Sequence, residues 1–236
     1  MRSGIREKRK NGRNFIRNPD KMVLRFLESP RRWWGKMVFR YAGRNWCAKS
    51  TAHSRKFYNI IGRFYDWIYT KPIQGYREAA EYVVENFIEP GDFVLDLGCG
   101  TGLLLDLAKN RAGRLVGLDI SWGMIQQARS KMKECPHLDF VAADCRMLPL
   151  RAEFDKIVSS FMLVILERDD RRRVIQSLYP LLKEGGMAVF LTAQDDLSPE
   201  WLTVEEWVCF GREAGFEPIE IEDRGEYFRV VRFGKS

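Results

Sequence analysis

The sequence predicts an α/β protein: a doubly wound, mostly parallel sheet of seven strands that closes in a C-terminal antiparallel hairpin, with a basic helical extension ahead of it. Three observations predict it. From Phe57 onward, short apolar runs alternate with amphipathic stretches of helical period. The first apolar run, "FVLDL", leads into a turn with three glycines. The chain finishes on "FEPIEIEDRGEYFRVVRFGK", two strand-like halves around Arg224-Gly225.

Residues 1–19 read as a basic arm without periodicity, punctuated by Gly4, Gly12 and Pro19. "DKMVLRFLE" reads as a short helix capped by Asp20 and stopped by Ser29-Pro30. "SPRRWWGKMVFRYAG" reads as another, with Pro30 in its first turn and Gly43 as its stop. Trp33, Trp34, Met37, Val38 and Tyr41 share one face of it, and Arg32, Lys36 and Arg40 lie on another side. "FYNIIGRFYDWIYT" is apolar nearly all round and predicts a helix packed on two sides. "GYREAAEYVVENFI" aligns Tyr76, Ala79, Ala80, Val83, Val84 and Phe87 on one stripe, and Pro90-Gly91 ends it.

"FVLDL" is apolar on both faces, as a central parallel strand must be. "GLLLDLAKN" starts a helix, "RLVGLDI" is the next strand, and "SWGMIQQARSKMK" is a helix capped by Ser121. "LDFVAAD" and "FDKIVSSF" follow as strands. "DDRRRVIQSLYPLLKE" predicts one helix with Val174, Leu178, Leu181 and Leu182 inward, and Gly185-Gly186 turns into the strand "MAVFLTA". "TVEEWVCFGREAG" opens with a capping box, Thr203 with Glu206.

The charge is unevenly placed. Residues 1–56 hold 17 Lys and Arg against 3 Asp and Glu; the rest holds 22 against 29. The basic excess therefore belongs to the leading segment alone, and the expected division is a 1–56 extension and a 57–236 domain. No apolar run approaches the ~20 residues of a spanning helix, and no apolar core follows the basic start. Five cysteines without CxxC pairing argue for reduced thiols in the cytoplasm and against a metal site.

A glycine-rich turn between strand and helix lets a ligand approach the backbone without meeting a Cβ atom. Gly98, Gly100 and Gly102 are spaced GxGxG, and Leu103 stands where the dinucleotide fingerprint requires its last glycine. The GxxxxGK[ST] phosphate loop is absent.

"VLDLGCGTG", Val94 to Gly102, with the segments after it, resembles the class I S-adenosylmethionine-dependent methyltransferases, a Rossmann-like fold. "LVGLDIS" matches the strand whose closing acid, here Asp119, holds the ribose hydroxyls. "FVAADCRMLPL" matches the segment whose Asp144 and Cys145 flank the adenine. "FDKIVSSFMLVIL", with Ser160, matches the fourth strand and the loop beside the methyl group. "LYPLLKEGGMAVFLTA" matches the helix, turn and fifth strand. The resemblance implies S-adenosylmethionine as cofactor. Gly98, Cys99, Gly100 and Gly102 would approach it, Asp96 would accept from its ammonium end, and Ile120 and Met124 would pack on the adenine. "RKFYNIIGRFYDWIYTKPIQGYREAA" is similar, more loosely, to the small type-11 and quinone C-methyltransferase-like group, in which an aromatic helix folds over the cofactor. Tyr58, Tyr65 and Asp66 are then expected at the active site, with Tyr58 and Tyr65 as catalytic candidates.

The acceptor is not legible. The only histidines are His53, a candidate for the mouth of the site, and His137, expected on the surface before a strand; neither is assignable as a base. Basic residues interleaved with Trp33, Trp34, Phe39, Tyr41 and Trp46 suit a helix lying on an anionic membrane, which would bring the enzyme to a quinone or lipid acceptor on the inner face of that membrane. The same composition suits RNA, or a lid packed on the domain. A non-catalytic partner subunit is the reading outside enzymes.

Overall fold

The computed structural model describes residues 51–61, 65–67, 73, 75–151 and 153–236. The two helices expected before Gly43, and Trp33 and Trp34 with them, lie outside the described residues. Among those described, no helix is long and apolar enough to cross a membrane.

Seven strands form one sheet. In chain order they are β1 (Phe93–Leu97), β2 (Arg114–Asp119), β3 (Leu138–Ala142), β4 (Phe154–Ser160), β5 (Leu182–Ala193), β6 (Ile219–Arg224) and β7 (Phe228–Gly234). Across the sheet the order is β3-β2-β1-β4-β5-β7-β6. The first five strands run parallel, and β7 lies antiparallel between β5 and β6. The helices are α1 (Thr51–Ile61), α2 (Tyr76–Phe87), α3 (Leu103–Ala108), α4 (Trp122–Lys131), α5 (Arg168–Leu178) and α6 (Val204–Glu213). Two apolar cores cover the two faces of the sheet. One gathers Ala80, Val83, Leu105 and Ala128, and the other gathers Leu97, Val174, Leu178 and Trp207. This is the doubly wound arrangement that the alternating pattern predicts.

The helix stripe of α2 is buried at Ala79, Ala80, Val83, Val84 and Phe87. Ser121 caps α4, its hydroxyl accepting the Met124 N–H at 3.2 Å. Both halves of the capping box at Thr203 and Glu206 are formed. One boundary differs from expectation. The helix α5 stops at Leu178, a single 3-10 turn covers Tyr179–Leu181, and β5 begins at Leu182. Pro180 explains the stop, because it has no N–H to donate inside a helix. Strand pairing then opens at Phe154↔Leu182, jumps to Lys156↔Met187, and leaves Gly185-Gly186 in a bulge.

The helix α1 crosses residue 56 unbroken and is tied to the domain. Asn59 Oδ1 accepts from the Ser121 hydroxyl at 2.7 Å and from the Gly123 N–H at 2.9 Å. A Cβ at position 123 would lie 2.8 Å from the Asn59 carbonyl oxygen, so this close approach needs glycine.

Candidate active site

Where strand order reverses, between β1 and β4, the carboxyl ends of the strands leave a crevice. A cavity of about 320 Å³ occupies it. Of the residues expected at the site, Tyr58, Tyr65, Gly98, Gly100, Asp119, Ile120, Met124, Asp144, Cys145 and Ser160 line this cavity; Asp96, Cys99 and Gly102 stand behind the wall.

The three glycines of the turn share positive φ angles but answer different needs. A Cβ on Gly98 would lie 2.3 Å from Met162 Cγ. One on Gly102 would lie 2.5 Å from Met132 Cε and 3.1 Å from Ala128 Cβ. One on Gly100 would meet nothing within 4 Å, because it would point into open space at the cavity wall. Gly98 and Gly102 are therefore packed closely by the protein itself, and Gly100 leaves room for a ligand. Cys99, behind the wall, is buried with its thiol pushed well up, first by loss of solvent and then by Asp119 and Asp96, which keeps it protonated and unreactive.

Two carboxyls crowd the loop. Asp119 ends β2 and accepts the Gly100 N–H at 3.0 Å and the Ser121 N–H at 2.7 Å. Burial pushes it up to about 6 even so, against the pull of those backbone donors. Asp96 is next to last in β1, is 2% exposed, and is pushed up to about 8 by burial and by the neighbouring charge of Asp119. Two reluctant carboxylates beside an open glycine are an environment that a cation relieves. S-adenosylmethionine carries a sulfonium and an ammonium group, and each oxygen of Asp119 keeps a lone pair for a ribose hydroxyl. The residues present fit that cofactor.

Asp144 lines the cavity and has a partner within the chain. Its carboxylate grips Arg146, with Nη2 at 2.6 Å and Nε at 3.0 Å, and is held below the usual range chiefly by that guanidinium. Arg146 also reaches Asp170 at the start of α5, at 3.3 Å. The signal in the sequence is an arginine two residues after Asp144, itself two residues beyond β3.

The far wall is the loop after β4. Phe161, Met162, Ile165 and Leu166 line it, with Glu167 and Asp170 at one end. Phe161 has φ 55, a left-handed conformation that costs a bulky residue on the order of 1–3 kcal/mol. Its ring is wedged among Tyr76, Trp201 and Phe228, with centroids 5.3–6.2 Å away. Behind it, the Tyr76 hydroxyl and the Ser160 hydroxyl lie 2.9 Å apart, and burial pushes Tyr76 up to about 12. Arg171, fully buried, donates to the carbonyls of Val164, Leu166 and Glu200 at 2.6–2.9 Å. It secures the loop from below, and no local pattern announces it.

Tyr58 and Tyr65 also line the cavity, their rings 6.2 Å apart. Asp66, beside them, accepts from the Thr101 hydroxyl and pairs with Lys131, whose ammonium also reaches the Thr101 carbonyl at 3.0 Å. His137 is half-buried rather than on the surface, donating from Nε2 to the Lys109 carbonyl at 2.8 Å, and is not part of the cavity wall. The described residues contain no group of three side chains arranged to hold a metal.

Residues 94–186 match the methyltransferase-domain family. The chain belongs to the class I S-adenosylmethionine-dependent methyltransferases. It is 30% identical over 163 residues to a carboxy-S-adenosyl-L-methionine synthase of Wolinella succinogenes, covering 65% of this chain and 66% of that one. It is 30% identical over 125 residues to a demethylmenaquinone methyltransferase of Symbiobacterium thermophilum, covering 50% of this chain and 49% of that one. The match thus spans between about half and two thirds of these relatives' lengths. In three dimensions the methyltransferase is similar to the magnesium protoporphyrin IX methyltransferase of Synechocystis with bound SAM. The TM-score is 0.64 at 20% identity, over 80% of this chain and 99% of that one.

Proposed function

We propose that this methyltransferase moves the methyl group of S-adenosylmethionine to a small or lipophilic acceptor without net negative charge, such as a quinone precursor or a lipid. The observation that carries the reading is the wall facing the glycine loop. It is apolar and aromatic, built from Tyr58, Tyr65, Phe161, Met162, Ile165 and Leu166. The charges lining the described cavity are four carboxylates, Asp119, Asp144, Glu167 and Asp170, and one guanidinium, Arg146. That guanidinium is committed to Asp144 and Asp170. Such a site favours a cationic cofactor and disfavours an anionic acceptor.

The cofactor supplies an activated methyl group on a cationic sulfur. The chain's own part is to align and to exclude water. Asp119 would hold the ribose end, the Gly100 backbone would leave room for the amino-acid end, and the Tyr58–Tyr65 pair would cover both. The half-buried Tyr76 supports the Ser160 hydroxyl at the wall.

The Wolinella relative's name carries a second reading, in which the cofactor itself is carboxylated. An incoming carboxylate needs a cation, and the cavity's arginine is already taken by two acids. One experiment separates the readings. Methyl-labelled cofactor is incubated with the protein and, separately, with quinone, lipid and RNA extracts, and both label and cofactor mass are followed. Label in the quinone or lipid fraction supports the proposal. A cofactor heavier by a carboxyl group establishes the second reading, and label in RNA overturns both.

A further inference from the structure

Large apolar side chains are scattered singly on most protein surfaces. Here three of the exposed ones lie on neighbouring pieces of chain: Ile60 on α1, Trp122 on α4 and Trp67 in the stretch 65–67. Ile60 is 67% exposed, Trp67 73% and Trp122 47%. Ile60 and Trp122 flank the joint at which Asn59 bonds to Ser121 and Gly123. Trp67 follows Asp66, which is held to Lys131 at the other end of α4. Nine residues of helix separate Trp122 from Lys131, roughly 13 Å. The apolar side chains thus stand along the outside of the cap whose inner residues, Tyr58 and Tyr65, line the cavity.

The charge of this face is equally distinctive. The helices α1 and α4 carry Arg55, Lys56, Arg129 and Lys131 and no Asp or Glu. The neighbouring Asp66 is neutralised by Lys131. The domain from 57 onward has 22 basic residues against 29 acidic ones, a net negative charge to which these two helices contribute no acid. Residues 1–56, with 17 basic and 3 acidic residues, include the first six residues of α1 and with them Arg55 and Lys56.

We infer that the outer face of the cap, Ile60, Trp67 and Trp122 ringed by Arg55, Lys56 and Arg129, docks on an anionic lipid bilayer. Indole rings prefer the headgroup boundary, an isoleucine side chain gains by leaving water, and guanidinium and ammonium groups meet lipid phosphate. Ile60 has no ring to stack on a base, which favours lipid over nucleic acid. Docking this way sets the cap, and the cavity beneath it, against the membrane. The inference names the source of a lipophilic acceptor and so deepens the proposed function, on which it rests for its purpose.

The test uses the full chain and vesicles of phosphatidylcholine, with or without phosphatidylglycerol. The protein is expected to sediment with the anionic vesicles and to release as salt rises. The triple variant Ile60→Ser, Trp67→Ser, Trp122→Ser keeps every basic residue and is expected to bind about tenfold more weakly. The double variant Arg55→Glu, Lys56→Glu should lose at least about fivefold for each charge. Both should bind the demethylated cofactor as the unaltered chain does, which shows that they are folded. Undiminished vesicle binding by the triple variant overturns the inference. So does binding of structured RNA in place of vesicles, or a dimer that the triple variant abolishes. Vesicle docking with label found only in water-soluble products would sink the lipophilic acceptor and leave the surface standing; a labelled quinone without vesicle binding would do the reverse.

Discussion

Asp66 and Thr101 join the aromatic cap to the cofactor loop: the Thr101 hydroxyl donates to the Asp66 carboxylate, and Lys131 holds the other oxygen. Thr101 lies between Gly100 and Gly102, so whatever loosens the cap is felt in the loop that approaches the ligand. Asp66→Ala removes both bonds. Because the pair is about one-third exposed, the stability loss should be modest, about 0.5–1 kcal/mol. Cofactor affinity should fall roughly three- to tenfold, the scale of one lost hydrogen bond. Hydrogen exchange in residues 55–61 and 65–67 should slow on cofactor binding in the unaltered chain and less so in the variant. Equal exchange with and without cofactor in both would show a permanently packed element.

The three glycines should separate by what they lose. Gly98→Ala and Gly102→Ala force a Cβ to within 2.3 Å and 2.5 Å of Met162 and Met132. Each should lose stability, by up to about 1–3 kcal/mol of overpacking and about 1–2 more for positive φ, with the larger loss at Gly98, because the Met132 methyl facing Gly102 is the free end of a flexible side chain. Gly100→Ala has open space and should lose only the backbone part, about 1–2 kcal/mol of stability. Gly100→Val should abolish cofactor binding while the domain still folds. Thermal melts and calorimetry on the same samples check the ordering, and a Gly98 variant that loses binding at full stability would contradict it.

Asp119 and Asp144 should differ although both end a strand-side segment of the same cavity. Asp119 bonds backbone donors and keeps lone pairs for the ribose; Asp144 is gripped by Arg146. Asp119→Ala should lose about 1.5–3 kcal/mol of cofactor affinity, the scale of a hydrogen bond to a charged group. Asp144→Ala should lose less, because Arg146 keeps Asp170 as a partner and is exposed to solvent. Calorimetry showing the larger loss at Asp144 would reassign the ribose and adenine ends.

Local features were legible. The strand Phe93–Leu97, the Ser121 cap and the Thr203–Glu206 box rest on neighbours a few residues apart, and their sequence patterns state them directly. The cavity residues that motif spacing marks, from Gly98 to Ser160, were legible for the same reason. What escaped is held by distant partners. Arg171 finds Glu200 across 29 residues, Asn59 finds Ser121 across 62, and the strained Phe161 is justified only by rings from Tyr76, Trp201 and Phe228. In sequence, Arg171 is one more charge on an exposed-looking helix. The end of α5 was misjudged because its apolar period runs on through Pro180, and the bulge at Gly185-Gly186 keeps Leu181 and Leu182 buried after the helix has ended.

Cofactor binding should be linked to pH through Asp96. Its carboxyl is pushed up to about 8 in the folded protein, from about 3.9 in an unfolded chain. The folded state therefore holds a proton that the unfolded state has released, between about pH 4 and 8. By linkage, the stabilisation from this group is fully present below the lower value and is lost as pH rises through the upper one. A cation in the site favours the ionised carboxyl, so the sign reverses for the ligand: affinity for S-adenosylmethionine should rise with pH up to about 8 and then level off. Asp119, pushed up to about 6, adds a second and lower step to the same curve. Below about pH 8, binding should release protons, seen as a heat that changes with the buffer's ionisation enthalpy. Asp96→Asn should stabilise the cofactor-free protein above neutral pH, lower the affinity, and flatten the upper step alone. An affinity that is flat from about pH 6 to 9, with no proton release, would show that Asp96 does not sense the cationic end of the cofactor.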